Sequence, residues 1–160
     1  MSYRKLLSNI IPLVLVGCAS QTPAKVGPPI KAIATREEIM HHLVIPNAQK
    51  VWNSSGTIYT TKGVEERAPK NDDDWFSVES SATTLMEAGN LLMMDGRAMD
   101  NGKWIEYATA LRDSGDLVRQ AAKAKDVNAL FEKGGVLFES CQSCHFAYRF
   151  EKDSKTMRTH

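Results

Sequence analysis

The sequence predicts an all-α fold, an antiparallel four-helix bundle. Three observations lead there. Apolar residues recur at spacings of three and four in four separate stretches. Helix-start or turn signals precede each stretch, and most connections are short, which makes neighbouring helices antiparallel. No segment alternates apolar and polar residues for long enough to suggest a sheet.

The chain has 160 residues, a length that suits one domain. Residues 1–17 read as an export signal rather than fold material. Arg4 and Lys5 give a positive start, and residues 10–16 give an apolar run interrupted by Pro12, too short to span a bilayer. Leu15-Val16-Gly17-Cys18 closes the segment. That tetrapeptide resembles the lipobox of bacterial lipoproteins, which implies that Cys18 carries the lipid. Ala19 and Ser20 follow, without the aspartate that often marks retention at the inner membrane. The resemblance thus implies an outer-membrane lipoprotein facing the periplasm, held stably because two or more acyl chains insert. Residues 18–32, with Pro23, Pro28 and Pro29, read as a tether. The domain is expected over 33–152, and 153–160 as a tail.

The first helix opens at Thr35, which with Glu38 has the spacing of a capping box. Ile39, Met40, Leu43, Val44, Asn47 and Val51 then follow at helical spacing. Pro46 lies inside this pattern and must kink the helix or break its hydrogen bonding locally. Ser54-Ser55-Gly56 ends it. Residues 57–70 show no helical period and read as a loop. Asp72-Asp73-Asp74 places negative charge where a second helix dipole favours it. Its stripe is Trp75, Val78, Ala82, Leu85, Gly89 and Leu92. Asp95-Gly96 and Asn101-Gly102 bound a turn. The third helix carries Trp104, Ala108, Leu111, Val118 and Ala122 on one face, with Gly115 expected on an exposed-to-intermediate side, where it weakens the helix. Asp126 caps the fourth helix, and Val127, Leu130, Phe131, Gly134, Leu137 and Phe138 lead up to two cysteines.

The formal net charge is +1. Loss of residues 1–17 removes Arg4 and Lys5 and takes it to −1, a near-neutral balance that argues against a nucleic-acid partner. The three cysteines leave only Cys141 and Cys144 once Cys18 is assigned to lipid. Two cysteines cannot complete a four-cysteine zinc site, and in an exported protein a lone CxxC pair tends to oxidise. A thioredoxin-like pair belongs at a helix start after a strand, whereas this one sits near the end of the fourth helix.

The chemistry-bearing segment is Cys141-Gln142-Ser143-Cys144-His145. A CxxC followed directly by histidine is the attachment signal for haem c. Two thiols add across two porphyrin vinyl groups, and the adjacent histidine is positioned to place its imidazole on the iron. Cys141 and His145 stand four residues apart and share a helix face. One covalent haem c is therefore expected, with His145 as proximal axial ligand.

A CxxCH on the last helix of a four-helix bundle resembles the class II c-type cytochromes, the family of cytochrome c prime and its low-spin relatives. Residues 141–149, ending His145-Phe146-Ala147-Tyr148-Arg149, resemble the family's CxxCHxxYR ending, and the likeness covers about residues 33–152. The family's first helix carries an arginine with the distal-side residue four positions later; here that pair is Arg36 and Met40. The resemblance implies that Arg36 lies near a haem propionate and that Arg149 holds the last helix or the same charged edge. It leaves open a homodimer through the first two helices.

Met40 decides the subtype. A methionine ligand closes the sixth position and suits outer-sphere electron transfer. An apolar residue there would leave iron five-coordinate, the alternative reading, in which the protein binds nitric oxide or carbon monoxide. Met40 as core filler is the bland reading, since the chain has seven methionines. His41 and His42 are rivals for the same position, although on a regular helix His41 is rotated about 100° from Met40. Trp52, Trp75 and Trp104 read as packing residues. The expectation is an electron carrier rather than an enzyme, with redox proteins as partners and the membrane engaged through Cys18.

Overall fold

The structure, a computed structural model, describes residues 29–150 and is mostly helical with one small two-stranded sheet. Cys18, the export segment, most of the tether and the tail at 153–160 lie outside the described residues. Among those described, no helix is long and apolar enough to cross a membrane.

The first helical segment begins as α1 (Arg36–Ile39). Its capping box is present: Glu38 N–H donates to Thr35 Oγ1 at 3.1 Å and Thr35 N–H to the Glu38 carboxylate at 2.8 Å. A π-helical turn, Met40–Val44, follows, and then α2 (Ile45–Trp52). Pro46 has no N–H to give to the helix. The strain is absorbed by the wider turn just before it, in which Ile45 N–H bonds the Met40 carbonyl five residues back.

The expected loop at 57–70 is corrected by the structure. It contains a hairpin of β1 (Gly56–Thr60) and β2 (Gly63–Arg67), antiparallel, with Ile58 opposite Glu65 and Tyr59 opposite Val64. Thr60 makes the turn: its hydroxyl donates to the Gly63 carbonyl and accepts from Lys62 N–H. Thr57 and Glu66 bond across the strands at 3.1 Å. Residues of high strand propensity, Thr57, Ile58, Tyr59 and Thr60, favour this pairing. The charged second strand and a turn without Asn-Gly hide it from a periodicity reading.

α3 (Asp72–Leu92) and α4 (Lys103–Lys123) are both unbroken. Asn71 caps α3 by accepting from Asp74 N–H at 2.9 Å. Gly115 corrects a second expectation: it is buried and faces α3. A Cβ there would lie 2.9 Å from Met86 N, and one at Gly89 would lie 2.7 Å from the Ala108 carbonyl oxygen. These two glycines let the α3 and α4 backbones approach closely, which offsets their poor helix propensity. α5 (Val127–His145) starts at Asp126, whose carboxylate accepts from Ala129 N–H at 3.0 Å. A second π-helical turn, Phe146–Phe150, follows it directly.

The core joins these elements. Ile39, Val51, Val78, Leu85, Val118, Leu130 and Leu137 are almost wholly buried. Burying each such aliphatic side chain contributes about 1.5–3 kcal/mol. α3 packs along α4, α4 along α5, and α2 against α3.

Candidate functional site

Cys141, Cys144 and His145 occupy the last turn of α5. At spacings of three and four they point to one side of the helix. That side faces a cavity of about 790 Å³, whose lining includes all three together with Met40, Trp52, Trp104, Leu111 and Phe138. The volume falls within the roughly 300–1,000 Å³ of small-molecule and cofactor sites. The wall is largely apolar, and Met40 reaches it from the first helical segment.

Two indoles shape the wall and are held by their own N–H groups. Trp52 Nε1 donates to the Gly134 carbonyl at 3.0 Å, tying α2 to α5. Trp104 Nε1 donates to the Leu92 carbonyl at 2.8 Å, tying α4 to the end of α3. With the polar atom of each indole satisfied, the rings serve as apolar surface. Phe138 packs edge-on against Trp52 with centroids 5.6 Å apart.

Burial raises the Cys141 thiol above its ordinary value, opposed by the Ser140 hydroxyl. Burial, and then neighbouring Cys141, pushes Cys144 up to about 11. Both are free thiols, protonated at neutral pH. Burial lowers His145, and Arg149 acts in the same direction, so the imidazole is neutral and keeps a lone pair for a metal.

The expected residues do not all meet. Met40, Cys141, Cys144 and His145 share the cavity. His41 and His42 are exposed and lie off its lining. Arg36 is also off the lining; it donates to the Arg97 carbonyl at 3.0 Å. Arg149 is exposed on the second π-helical turn.

Sequence reasoning missed Arg97, and it named Tyr148 only as part of the CxxCHxxYR ending, without its contacts. Arg97 is only 5% exposed. Its Nε donates to the Ala34 carbonyl at 2.9 Å and its Nη1 to the Leu91 carbonyl at 3.1 Å, so it ties the chain before α1 to the end of α3. A cation beside Asp95-Gly96 reads as an exposed turn residue, so no pattern signals it. Tyr148 donates to Asp100 and packs edge-on against Trp104, with centroids 5.0 Å apart. Asp100 in turn accepts from Gly102 and Trp104 N–H at 2.8 and 3.1 Å. One carboxylate thus joins the start of α4 to the turn that follows His145.

The donor set can be tested for what it would hold. Among the described residues no three His, Cys, Asp or Glu side chains gather around a common point. A bare ion needs three or four such ligands. An iron already carried by a macrocycle needs only axial donors, and the cavity lining offers an imidazole, a thioether and two thiols. The residues present fit haem c.

No protein-family model, curated protein or solved structure matches this chain.

Proposed function

We propose that the chain is a monohaem c-type cytochrome of the class II bundle type, an electron carrier facing the periplasm. Cys141 and Cys144 would hold the haem as thioethers, His145 would be its proximal ligand and Met40 its distal one. The observation that carries this reading is that these four residues, drawn from the two ends of the domain, line a single apolar cavity. The pairwise packing of α3 on α4, α4 on α5 and α2 on α3 supports the bundle arrangement. Cys18 would anchor the domain to the outer membrane through its acyl chains, and redox proteins would be its partners.

When bound, haem c supplies a one-electron ferric–ferrous couple. The chain's own residues do the rest. His145 is neutral at working pH and can bind a metal through its free nitrogen. Met40 offers a soft, weak thioether donor, which would favour the reduced metal and, as a ligand to it, would bar small ligands. Trp52, Trp104 and Leu111 give the cavity apolar wall, and a low local dielectric around a bound haem would raise its potential.

Purification from a host with haem c maturation tests the attachment. The protein should carry one haem that survives acid–acetone extraction, and reduced protein should not bind carbon monoxide. An extractable haem, or none, contradicts the attachment. Rapid carbon monoxide binding with attachment intact would replace the electron carrier by the five-coordinate, gas-binding reading.

A further inference from the structure

The first helical segment changes register at one point. From Val44 through α2 the segment shows the core a face made of Val44, Ala48 and Val51, all buried. An α-helix advances about 100° per residue. Continued backward at that pitch, the same face would pass midway between Met40 and His41 and reach Glu37. Ile39 would stand on the opposite side, in solvent. The structure has another arrangement. Ile39 is 2% exposed. Glu37, His41 and His42 are exposed, and Met40 is half-buried on the cavity wall.

The π-helical turn Met40–Val44 accounts for the difference. Ile45 N–H reaches the Met40 carbonyl, five residues back rather than four. The turn therefore holds one residue more than an α-turn, and everything before it is rotated by about one residue's worth of helix. Ile39 now lies over Val44, Glu37 turns to water, and the choice between Met40 and His41 is made.

Three features hold the turn in place. Pro46 cannot donate to the His42 carbonyl, and its ring would crowd that oxygen in a regular helix. Ile39 is buried only in the shifted register. Arg36 reaches the Arg97 carbonyl from α1, and Arg97 is fixed by Ala34 and Leu91.

Resting on the haem reading above, we propose that this turn is a register device that selects the distal ligand: its extra residue presents Met40 to the cavity and withholds His41. Met40 touches the site, whereas Pro46 and the turn act as positioning elements. A chain with the same residues in an unbroken helix would offer a thioether and an imidazole on nearly equal terms, and the two give different potentials.

The test removes the extra residue. In full-length holoprotein, deletion of His42 combined with Pro46→Ala leaves an unbroken α-helix in which Met40 and Ile39 keep their faces. The expected result is an unchanged sulfur-to-iron charge-transfer band in the ferric protein, with His41 still carbethoxylated at the wild-type rate in site-resolved mass spectrometry. Loss of the band, or protection of His41, would overturn the proposal. Met40→Ala provides an independent variant should the deletion fail to fold. It should become high-spin and bind carbon monoxide, because His41 cannot replace the thioether. A low-spin bis-histidine spectrum that disappears on adding His41→Ala would overturn the proposal from that side. If the wild-type protein carries no haem or shows no sulfur-to-iron band, the functional reading fails instead. The labelling of His41 then decides the register alone: an unchanged rate in the deletion variant supports it, and protection contradicts it.

Discussion

The α3–α4 pair and the pair formed by the first helical segment and α5 are built in opposite ways. α3 and α4 are regular over their whole lengths and so close at Gly89 and Gly115 that a single methyl group would strike backbone. The other pair is irregular at both candidate ligands: Met40 begins one π-helical turn and His145 directly precedes the other. α2 and α5 touch sparingly, partly through Trp52 and Gly134, and the cavity opens beside them. Close packing leaves no room for a ligand, and a gap stabilises less. The molecule concentrates stability in one pair and leaves room for chemistry at the other.

Changes at the cavity should abolish function without unfolding the chain, and changes at the packed pair should do the reverse. The largest effect is expected for Cys141→Ser with Cys144→Ser. Covalently attached haem should vanish from acid–acetone-extracted protein, while the far-ultraviolet circular dichroism stays helical. Next comes Leu85→Ala in the packed pair, where the side chain is fully buried. It should cost about 2–5 kcal/mol in urea unfolding. Phe138→Ala on the cavity wall, where the ring is 46% exposed, should cost clearly less. An equal loss at both positions would break the distinction between the two regions.

Glycine substitutions sharpen it further. Gly115→Ala should destabilise by about 1–3 kcal/mol, because the new methyl meets Met86 backbone and the gain in helix propensity is smaller than the strain. Gly135→Ala, in α5 with nothing near its Cβ position, should stabilise by roughly 0.5–1 kcal/mol. Thermal melts of both variants check the signs.

The smallest effect concerns pH. Partial burial, and then the Asp100 carboxylate it donates to, push Tyr148 up to about 12. Its folded value exceeds the usual phenol value near 10, so the stabilisation is complete below about pH 10 and is lost as pH rises toward 12. Asp100 is lowered, first by Tyr148 and then by Trp104 and Gly102 N–H. Its contribution is present above the ordinary carboxylate value near 4 and is lost as pH falls below it. Tyr148→Phe should flatten both limbs of the stability–pH profile. An unchanged profile would remove Tyr148 as the tie between the turn after His145 and the start of α4.

The regular pair was the more legible of the two in the sequence. Its stripe Trp75, Val78, Ala82 and Leu85 repeats at one period, whereas in the other pair only the helix starts were plain, at Asp126 and the Thr35–Glu38 box, where the capping chemistry needs no tertiary partner. Gly115 was misplaced because a glycine has no side chain to assign to a face; only the neighbouring helix reveals why it is there. The hairpin at 56–67 escaped because a strand of Val64, Glu65, Glu66 and Arg67 has no buried face to pattern. At the site, CxxCH is local and readable. The distal side is not local: it depends on a change of helical register that Pro46 announces without giving its direction. Arg97 is invisible for a similar reason, since its partners are carbonyls at Ala34 and Leu91 that no residue type encodes.

In the proposed cytochrome, Met40 and His145 would hold one iron between them across this cavity. The absorption spectrum of the purified ferric and ferrous protein, with and without carbon monoxide, tests it most directly. Low-spin spectra are expected in both states, with a sulfur-to-iron band in the ferric protein and no change on adding carbon monoxide. High-spin ferrous haem that takes up carbon monoxide, with no sulfur-to-iron band, would contradict it.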